Sequence, residues 1–288
     1  METIEYLVNN GVDVNCKNKL GISNLDLFIS EGYTFLSLLL SYNNNILLNI
    51  PNLQGETPLI TLIKINTYTD EEKEDIIDCL IKKGSDVNFI DNLGNSPLVY
   101  AIQKKSLSIV NLLIKNEANL NYIIKSRNQS ILMYAIELEE MEIIHILIEY
   151  GADINFKNSE GDSAIKMASQ KGKLDIFEYL VKYDINNFNS QVINEIISEE
   201  RLDLLIILVN NHLDINIKDE NENTPLVYAF KNRQPDIVKY LIENGADIYN
   251  KNKQGETIEQ LNYKYFYEFG WHKSYNTIHN LIKKRNKT

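Results

Sequence analysis

Residue types that could support catalysis or metal binding are few and scattered in this chain of 288 residues. Metal sites need several histidine, cysteine or carboxylate side chains that converge on one point. Of the four histidines, only His272 and His279 lie close together in the sequence, and no third ligand accompanies them. His145 and His212 are isolated. We therefore expect ordinary surface or capping histidines and no metal site.

Sequence motifs of the common enzyme chemistries are absent. The chain contains no phosphate-binding P-loop, no G-x-S-x-G nucleophile turn, no H-E-x-x-H zinc motif and no paired C-x-x-C. The chain contains 40 acidic residues and has a net charge of −11. No feature of the sequence singles out two of these residues as a pair for acid–base catalysis. Cys79 falls on the apolar face of a predicted helix, which indicates a buried structural thiol. We predict that the chain is not an enzyme and holds no cofactor.

The acidic balance narrows the class of partner. A net charge of −11 and a pI of about 5.0 disfavour binding to nucleic-acid phosphates and favour a basic or neutral protein partner.

No apolar run approaches the ~18 residues of a membrane span. The N-terminal METIEYLVNNG carries acids where a signal peptide would carry bases. Cys16 and Cys79 form no disulfide framework, so we expect a reducing compartment, the cytoplasm.

The chain is built from copies of one short repeat, which is clearest at residues 223–250. The sequence NTPLVYAFKNRQPDIVKYLIENGADIYN predicts two helices. Thr224 can cap the first helix with its hydroxyl, and the proline after it takes the first helical position, where no backbone N–H is needed. Apolar spacing predicts a second helix from Pro235, and Gly245 can take the left-handed conformation that ends it. Such a repeat cannot bury its own apolar face, so it needs copies on either side.

Those copies recur along the chain in register. The cap residue returns at intervals of 33 to 39 residues, apart from one interval of 61, and an asparagine closes most repeats. This periodicity predicts a stack of helix pairs. The cap positions are Ser23, Thr57, Ser96, Ser130, Ser163, Thr224 and Thr257, and the closing asparagines are Asn15, Asn49, Asn88, Asn121, Asn155 and Asn216.

In these segments the chain resembles the ankyrin-repeat family, whose pattern is roughly D-x-x-G-x-T-P-L-H-x-A, a second helix and then G-A-D-V-N in about 33 residues. The matching segments are GETPLI at 55–60, GNSPLVYA at 94–101, GADIN at 151–155 and GADI at 245–248. The resemblance implies an all-α fold, a solenoid of helix–turn–helix units joined by β-hairpin-like loops. The histidine that follows T-P-L in the family is missing from every repeat, so we do not expect the local hydrogen bonds that this histidine usually makes.

The composition adds an expectation about the source. Asparagine, isoleucine and lysine are unusually frequent, as is typical of proteins from AT-rich genomes. Together with the resemblance, this favours a large DNA virus or an intracellular microbe, and then a protein that acts in the host cytoplasm.

We expect a single domain, with about seven to eight repeats and degenerate ends. Within it, Thr69 and Glu72 have the spacing of a capping box beside an insertion, Glu117 stands where a left-handed glycine is usual, and Gln191 takes a cap position. The hairpin at 184–189 should be nearly absent. The predicted boundaries are a half repeat at 1–17, repeats at 18–50, 51–90, 91–124, 125–157, 158–188, 189–218 and 219–251, and a capping repeat at 252–288.

The resemblance also implies a binding module, because stacked repeats form a concave surface of hairpins and first helices. Leu53, Leu93 and Leu138 are apolar residues at positions that are predicted to face solvent. We therefore predict that the repeats from Leu53 to Leu138 form the main contact face for a protein partner. Isolated surface leucines are also ordinary, and both interpretations stay open. The predicted partner-binding residues are Leu53, Gln54, Glu56, Asn92, Leu93, Asn95, Gln103, Lys104, Arg127, Gln129, Glu137, Leu138, Glu160 and Asp162.

An alternative function is that of an adaptor. In that case the C-terminal tail, residues 270–288, would join a captured protein to a host complex such as a ubiquitin ligase. The aromatic residues Phe266, Phe269 and Trp271 are instead typical of a cap that seals the open end of the stack. Under either interpretation we expect a monomer that binds no nucleic acid, membrane or metal.

Overall fold

The computed structural model describes residues 15–18, 22–32, 36, 40, 46–183, 190–269 and 279–284. The chain divides into two compact units, Met1–Ala164 and Ile165–Thr288. The first contains α1 (Asn24–Glu31), α2 (Pro58–Lys64), α3 (Asp70–Lys82), α4 (Pro97–Gln103), α5 (Leu107–Lys115), strands β1 (Ile123–Ile124) and β2 (Gln129–Ser130), α6 (Ile131–Glu137) and α7 (Met141–Glu149).

The helix α8 (Ala164–Gln170) begins at the last residue of the first unit. The second unit continues with α9 (Leu174–Tyr183), α10 (Ser190–Ser198), α11 (Leu202–Asn210), α12 (Pro225–Lys231), α13 (Pro235–Glu243) and α14 (Ile258–Phe269). Residues 279–284 are also helical. Each predicted repeat from 51 to 251 contains two helices, which confirms the all-α class. The expectation of a single domain stays a prediction.

Within each unit, the first helices of successive repeats pack on one another, and so do the second helices. In the first unit α2 packs on α3, α4 on α5 and α6 on α7, while α2 also contacts α4 and the second helices α3, α5 and α7 contact each other in order. In the second unit α10 packs on α11 and α12 on α13, and α10, α12 and α14 follow one another. This is the arrangement that the sequence period predicted.

The first helices α2, α4, α6 and α12 are short and mostly buried. In α4 every residue from Pro97 to Ile102 is buried. The small residue in the middle of this helix, Ala101, has no exposed surface, and Ala135 and Ala229 are equally covered in α6 and α12. Because interiors are close-packed, a small side chain there lets neighbouring helices approach closely.

The capping predictions are confirmed in part. The hydroxyls of Ser96 and Ser130 accept hydrogen bonds from the backbone N–H groups of Val99 and Met133. Thr224 occupies the same N-cap position, but its hydroxyl makes no capping bond. The reason is local: the N–H that it would bind, that of Val227, donates instead to the Thr224 backbone carbonyl at 3.0 Å. The prediction of a hydroxyl cap at Thr224 was therefore wrong.

Three other local predictions have clear outcomes. Thr69 and Glu72 form the capping box of α3, with the Thr69 N–H 2.9 Å from the Glu72 carboxylate. Glu117 is left-handed, with φ of 65°. Gln191 does not cap a helix, because α10 already begins at Ser190. The near-absent hairpin at 184–189 and much of the N-terminal half repeat lie outside the described residues.

The closing asparagines form a ladder between successive repeats. Asn49 Oδ1 accepts a hydrogen bond from the Asp86 N–H at 2.8 Å, and Asn121 does the same with Asp153 at 2.8 Å. In the second unit Asn216 accepts from the Asp247 N–H at 2.7 Å. At the next such position stands Tyr249, which is 65% exposed. Each of these three asparagines thus binds the start of the following hairpin.

Candidate functional site

The hairpin tips are held by the side chain of their first residue. Asp91 Oδ1 accepts hydrogen bonds from the backbone N–H groups of Leu93 at 2.9 Å and Asn95 at 2.8 Å. The first residues of four other tips, Asn52, Asn158, Asp219 and Asn252, bind their own tips in the same way. Because the side chain satisfies the tip backbone, the two middle residues of each tip are exposed.

The first two tips of the predicted face touch each other directly. The Asn92 N–H lies 3.4 Å from the Gln54 carbonyl oxygen, and Asn92 Nδ2 donates to the Leu53 carbonyl at 3.3 Å. Gly55 permits this approach, since a Cβ there would lie 2.7 Å from the Asn92 backbone nitrogen. Leu53 and Leu93 consequently sit on adjacent tips with 67% and 64% of their surfaces exposed.

All the predicted partner-binding residues lie in the first unit, and none of them is buried. Leu138 departs from the prediction. It is the C-cap of α6 and is half-buried, so it is not an apolar group that faces water fully. The exposed members are Leu53, Gln54, Asn92, Leu93, Gln103, Lys104, Arg127 and Glu160, and the half-buried ones are Glu56, Asn95, Gln129, Glu137, Leu138 and Asp162.

Some of these side chains bind each other and are not free to vary singly. The residue before the cap contacts the residue eight positions later, at the end of the first helix. Glu56 forms an ion pair with Lys64, and Gln129 Nε2 donates to Glu137 Oε2 at 2.7 Å. Glu256 and Lys264 form an ion pair at the same spacing in the second unit at 3.1 Å, although α14 continues past Lys264 to Phe269. We missed this pairing from the sequence, although complementary side chains at a spacing of eight are its signal.

A tyrosine in the first helix supplies a contact that sequence reasoning also missed. The Tyr100 hydroxyl donates to Asp91 Oδ2 at 2.5 Å, and Tyr228 does the same with Asp219 at 2.8 Å. Burial, with the hydrogen bond to Asp91, raises the pKa of Tyr100 to about 12. The tyrosine thus anchors the tip to the helix behind it. The signal was the tyrosine four positions after the cap, which recurs at Tyr134.

Two of these tyrosines also carry a cation over the ring. Lys64 Nζ lies 4.8 Å from the Tyr100 ring centroid, and the Arg127 guanidinium carbon lies 4.6 Å from that of Tyr134. Arg127 also pairs with Glu137 at 3.3 Å. Part of the charge on the predicted face is therefore already balanced within the chain.

Among the described residues, no group of three His, Cys, Asp or Glu side chains could hold a metal ion. No helix within the described ranges is long and apolar enough to cross a membrane. The predicted residues that the structure brings together are side chains of the tips and first helices.

Comparison with known families agrees with this arrangement of helix pairs and hairpin tips. The family described as "Ankyrin repeats (3 copies)" matches residues 65–158, 122–192 and 165–252, which together cover more than half of the chain. The chain belongs to the ankyrin-repeat family. Ankyrin repeats are non-catalytic modules that generally mediate protein–protein interaction.

Similar ankyrin-repeat proteins come from diverse organisms. An ankyrin repeat protein of Acanthamoeba polyphaga mimivirus is 28% identical over 90% of this chain and 30% of its own length. One from Rickettsia bellii is 30% identical over 42% of this chain and 34% of its own. Mouse Rabankyrin-5 is 28% identical over 42% of this chain and 10% of its own. This chain thus spans about a third or less of each relative.

Proposed function

We propose that this ankyrin-repeat chain binds a protein partner through the face formed by its first two described hairpin tips and the first helices behind them. The observation that carries the proposal is the exposure of Leu53 and Leu93, at 67% and 64%, on tips joined by two hydrogen bonds from Asn92, one from its backbone and one from its side chain. Burying each leucine side chain against a partner would contribute about 1.5–3 kcal/mol. A face of about 800 Å² per partner is ordinary for such a complex.

The polar residues of the face support this assignment. Gln54 and Asn92 flank the leucines, and Gln103 and Lys104 are exposed at the end of α4. This gives two apolar groups surrounded by polar ones, which is the usual anatomy of an interface core and its rim. Because the tips are fixed by their own aspartate or asparagine, binding requires little ordering of the backbone.

The test is affinity capture from cells that naturally produce the chain. We would compare the wild type with Leu53→Ser/Leu93→Ser, which changes two exposed side chains, after circular dichroism has shown that both proteins are folded. The matched control is Leu47→Ser, a leucine 53% exposed outside the predicted face. A partner retained by wild type and control but lost by the double variant supports the face. Equal capture by all three proteins would contradict it.

The alternative function, an adaptor that recruits a host complex through residues 270–288, stays a prediction. Of this tail, the structure describes 279–284, where Ile282 is buried. Deleting residues 270–288 should abolish recruitment and spare capture of the first partner if the adaptor prediction is correct.

A further inference from the structure

The second unit contains a groove that is lined by none of the predicted partner-binding residues. It is a groove of about 390 Å³ between α10 and the tip that precedes α12. Ser190, Asn194 and Glu195 line one side, Asp219 and Glu220 line the other, and Tyr228 of α12 also contributes. The volume falls in the range of small binding sites, about 300–1,000 Å³.

The groove is acidic, and one of its charges is fixed in place. Asp219 Oδ2 accepts a hydrogen bond from the Tyr228 hydroxyl at 2.8 Å, and its Oδ1 accepts from the Asn223 N–H at 2.7 Å. Burial opposes ionisation, but these hydrogen bonds outweigh it and lower the pKa of Asp219. The carboxylate therefore remains negative at neutral pH.

The other two carboxylates are available to a ligand. Glu220 is exposed on the tip and forms no ion pair among the described residues. Glu195 accepts a hydrogen bond from Gln191 at 3.3 Å and forms a long, partly exposed ion pair with Lys166 Nζ at 4.0 Å, a residue outside the lining. The described lining contains no lysine, arginine or histidine. Three carboxylates thus face a groove that contains no balancing charge within its lining.

We propose that this groove binds an arginine side chain from a basic segment of a protein partner. A guanidinium offers several N–H donors in a planar fork that can bind carboxylates in pairs, and the serine and asparagine side chains can accept its remaining donors. The chain's net charge of −11 would draw such a segment toward it. The proposal rests on the family's role in protein binding but not on Leu53 and Leu93, so either site can fail alone.

The test measures fluorescence anisotropy of a labelled peptide of alternating arginine and serine, titrated with the full chain. Glu195→Gln/Glu220→Gln should weaken binding by at least about tenfold, because two ligand carboxylates are lost. The matched control, Glu142→Gln/Glu149→Gln, removes the same charge from exposed positions on α7 and should change binding little. Leu53→Ser/Leu93→Ser should bind the peptide as the wild type does.

Circular dichroism establishes that each variant is folded before the titration. Equal weakening by the groove and control pairs would mean that only net charge attracts the peptide, and would overturn the proposal. Failure of the wild type to bind the peptide would overturn it as well. A peptide with lysine in place of arginine should bind more weakly, and equal binding would contradict the assigned guanidinium contact.

Discussion

The side-chain amide of Asn88 bridges two repeats, because its Oδ1 accepts a hydrogen bond from the Asn119 N–H at 2.7 Å. Its Nδ2 donates to the carbonyl of Glu117 at 3.0 Å. A carboxylate could not supply the second bond. This double role explains why asparagine closes so many repeats, and it ties the hairpin of one repeat to the end of the next.

Replacing Asn88 with alanine should destabilise the first unit by about 1–3 kcal/mol, because a backbone donor and a backbone acceptor both lose their partner. Urea denaturation followed by circular dichroism measures the loss. The matched control is Asn210→Ala at the exposed end of α11, where we expect no loss. A similar effect for both variants would show that the bridge contributes little.

Two glycines separate the effect of backbone strain from that of close approach. Gly55 and Gly161 have nearly equal φ angles of 79° and 80°, but only Gly55 faces a close neighbour, Asn92. Alanine at Gly161 should cost about 1–2 kcal/mol through the left-handed backbone alone. Alanine at Gly55 should cost more, because its Cβ would displace Asn92. Equal losses of unfolding free energy would contradict the close contact.

Glycine at Glu117 should stabilise the chain. The residue directly follows the C-cap of α5 and has φ of 65°, a conformation that costs most non-glycine residues about 1–2 kcal/mol. Part of this gain is offset by the greater freedom of glycine in the unfolded chain. We therefore expect the free energy of unfolding, measured by thermal or urea denaturation, to rise by up to about 1 kcal/mol. As a control, Lys115→Gly within the helix should lower stability by about 1 kcal/mol.

Stability at high pH should depend on Tyr100. Its pKa is about 10 in the unfolded chain and about 12 in the fold, so the stabilisation is complete below pH 10 and disappears as the pH rises toward 12. The shift corresponds to about 2–3 kcal/mol. Urea unfolding across this pH range should show a steeper loss for the wild type than for Tyr100→Phe, and parallel curves would contradict the assignment.

The sequence predicts the helix pairs well because their signals are local. Ser96, Pro97 and the apolar spacing after them determine where α4 begins and which side it buries. The left-handed conformation of Glu117 follows equally from its place after a helix. These features depend on a few neighbouring residues and on the period of the chain.

The surface was harder to predict because it depends on how a hairpin approaches its own helix. The repeat pattern predicts Glu56 and Glu137 as partner-binding residues, whereas the structure pairs them with Lys64 and Gln129. Whether Leu53 and Leu93 bind a partner depends on a second molecule, and the sequence carries no record of its identity.

The contact between the residue before the cap and the residue eight positions later has a consequence for engineering. Exchanging Glu56 and Lys64 would reverse the local dipole of the surface while the attraction between them is preserved. A combinatorial library built on this scaffold should therefore vary the residue before the cap and the residue eight positions later together, so that every member contains a complementary pair. Independent randomisation would fill the library with members in which one half of the pair has lost its counterpart.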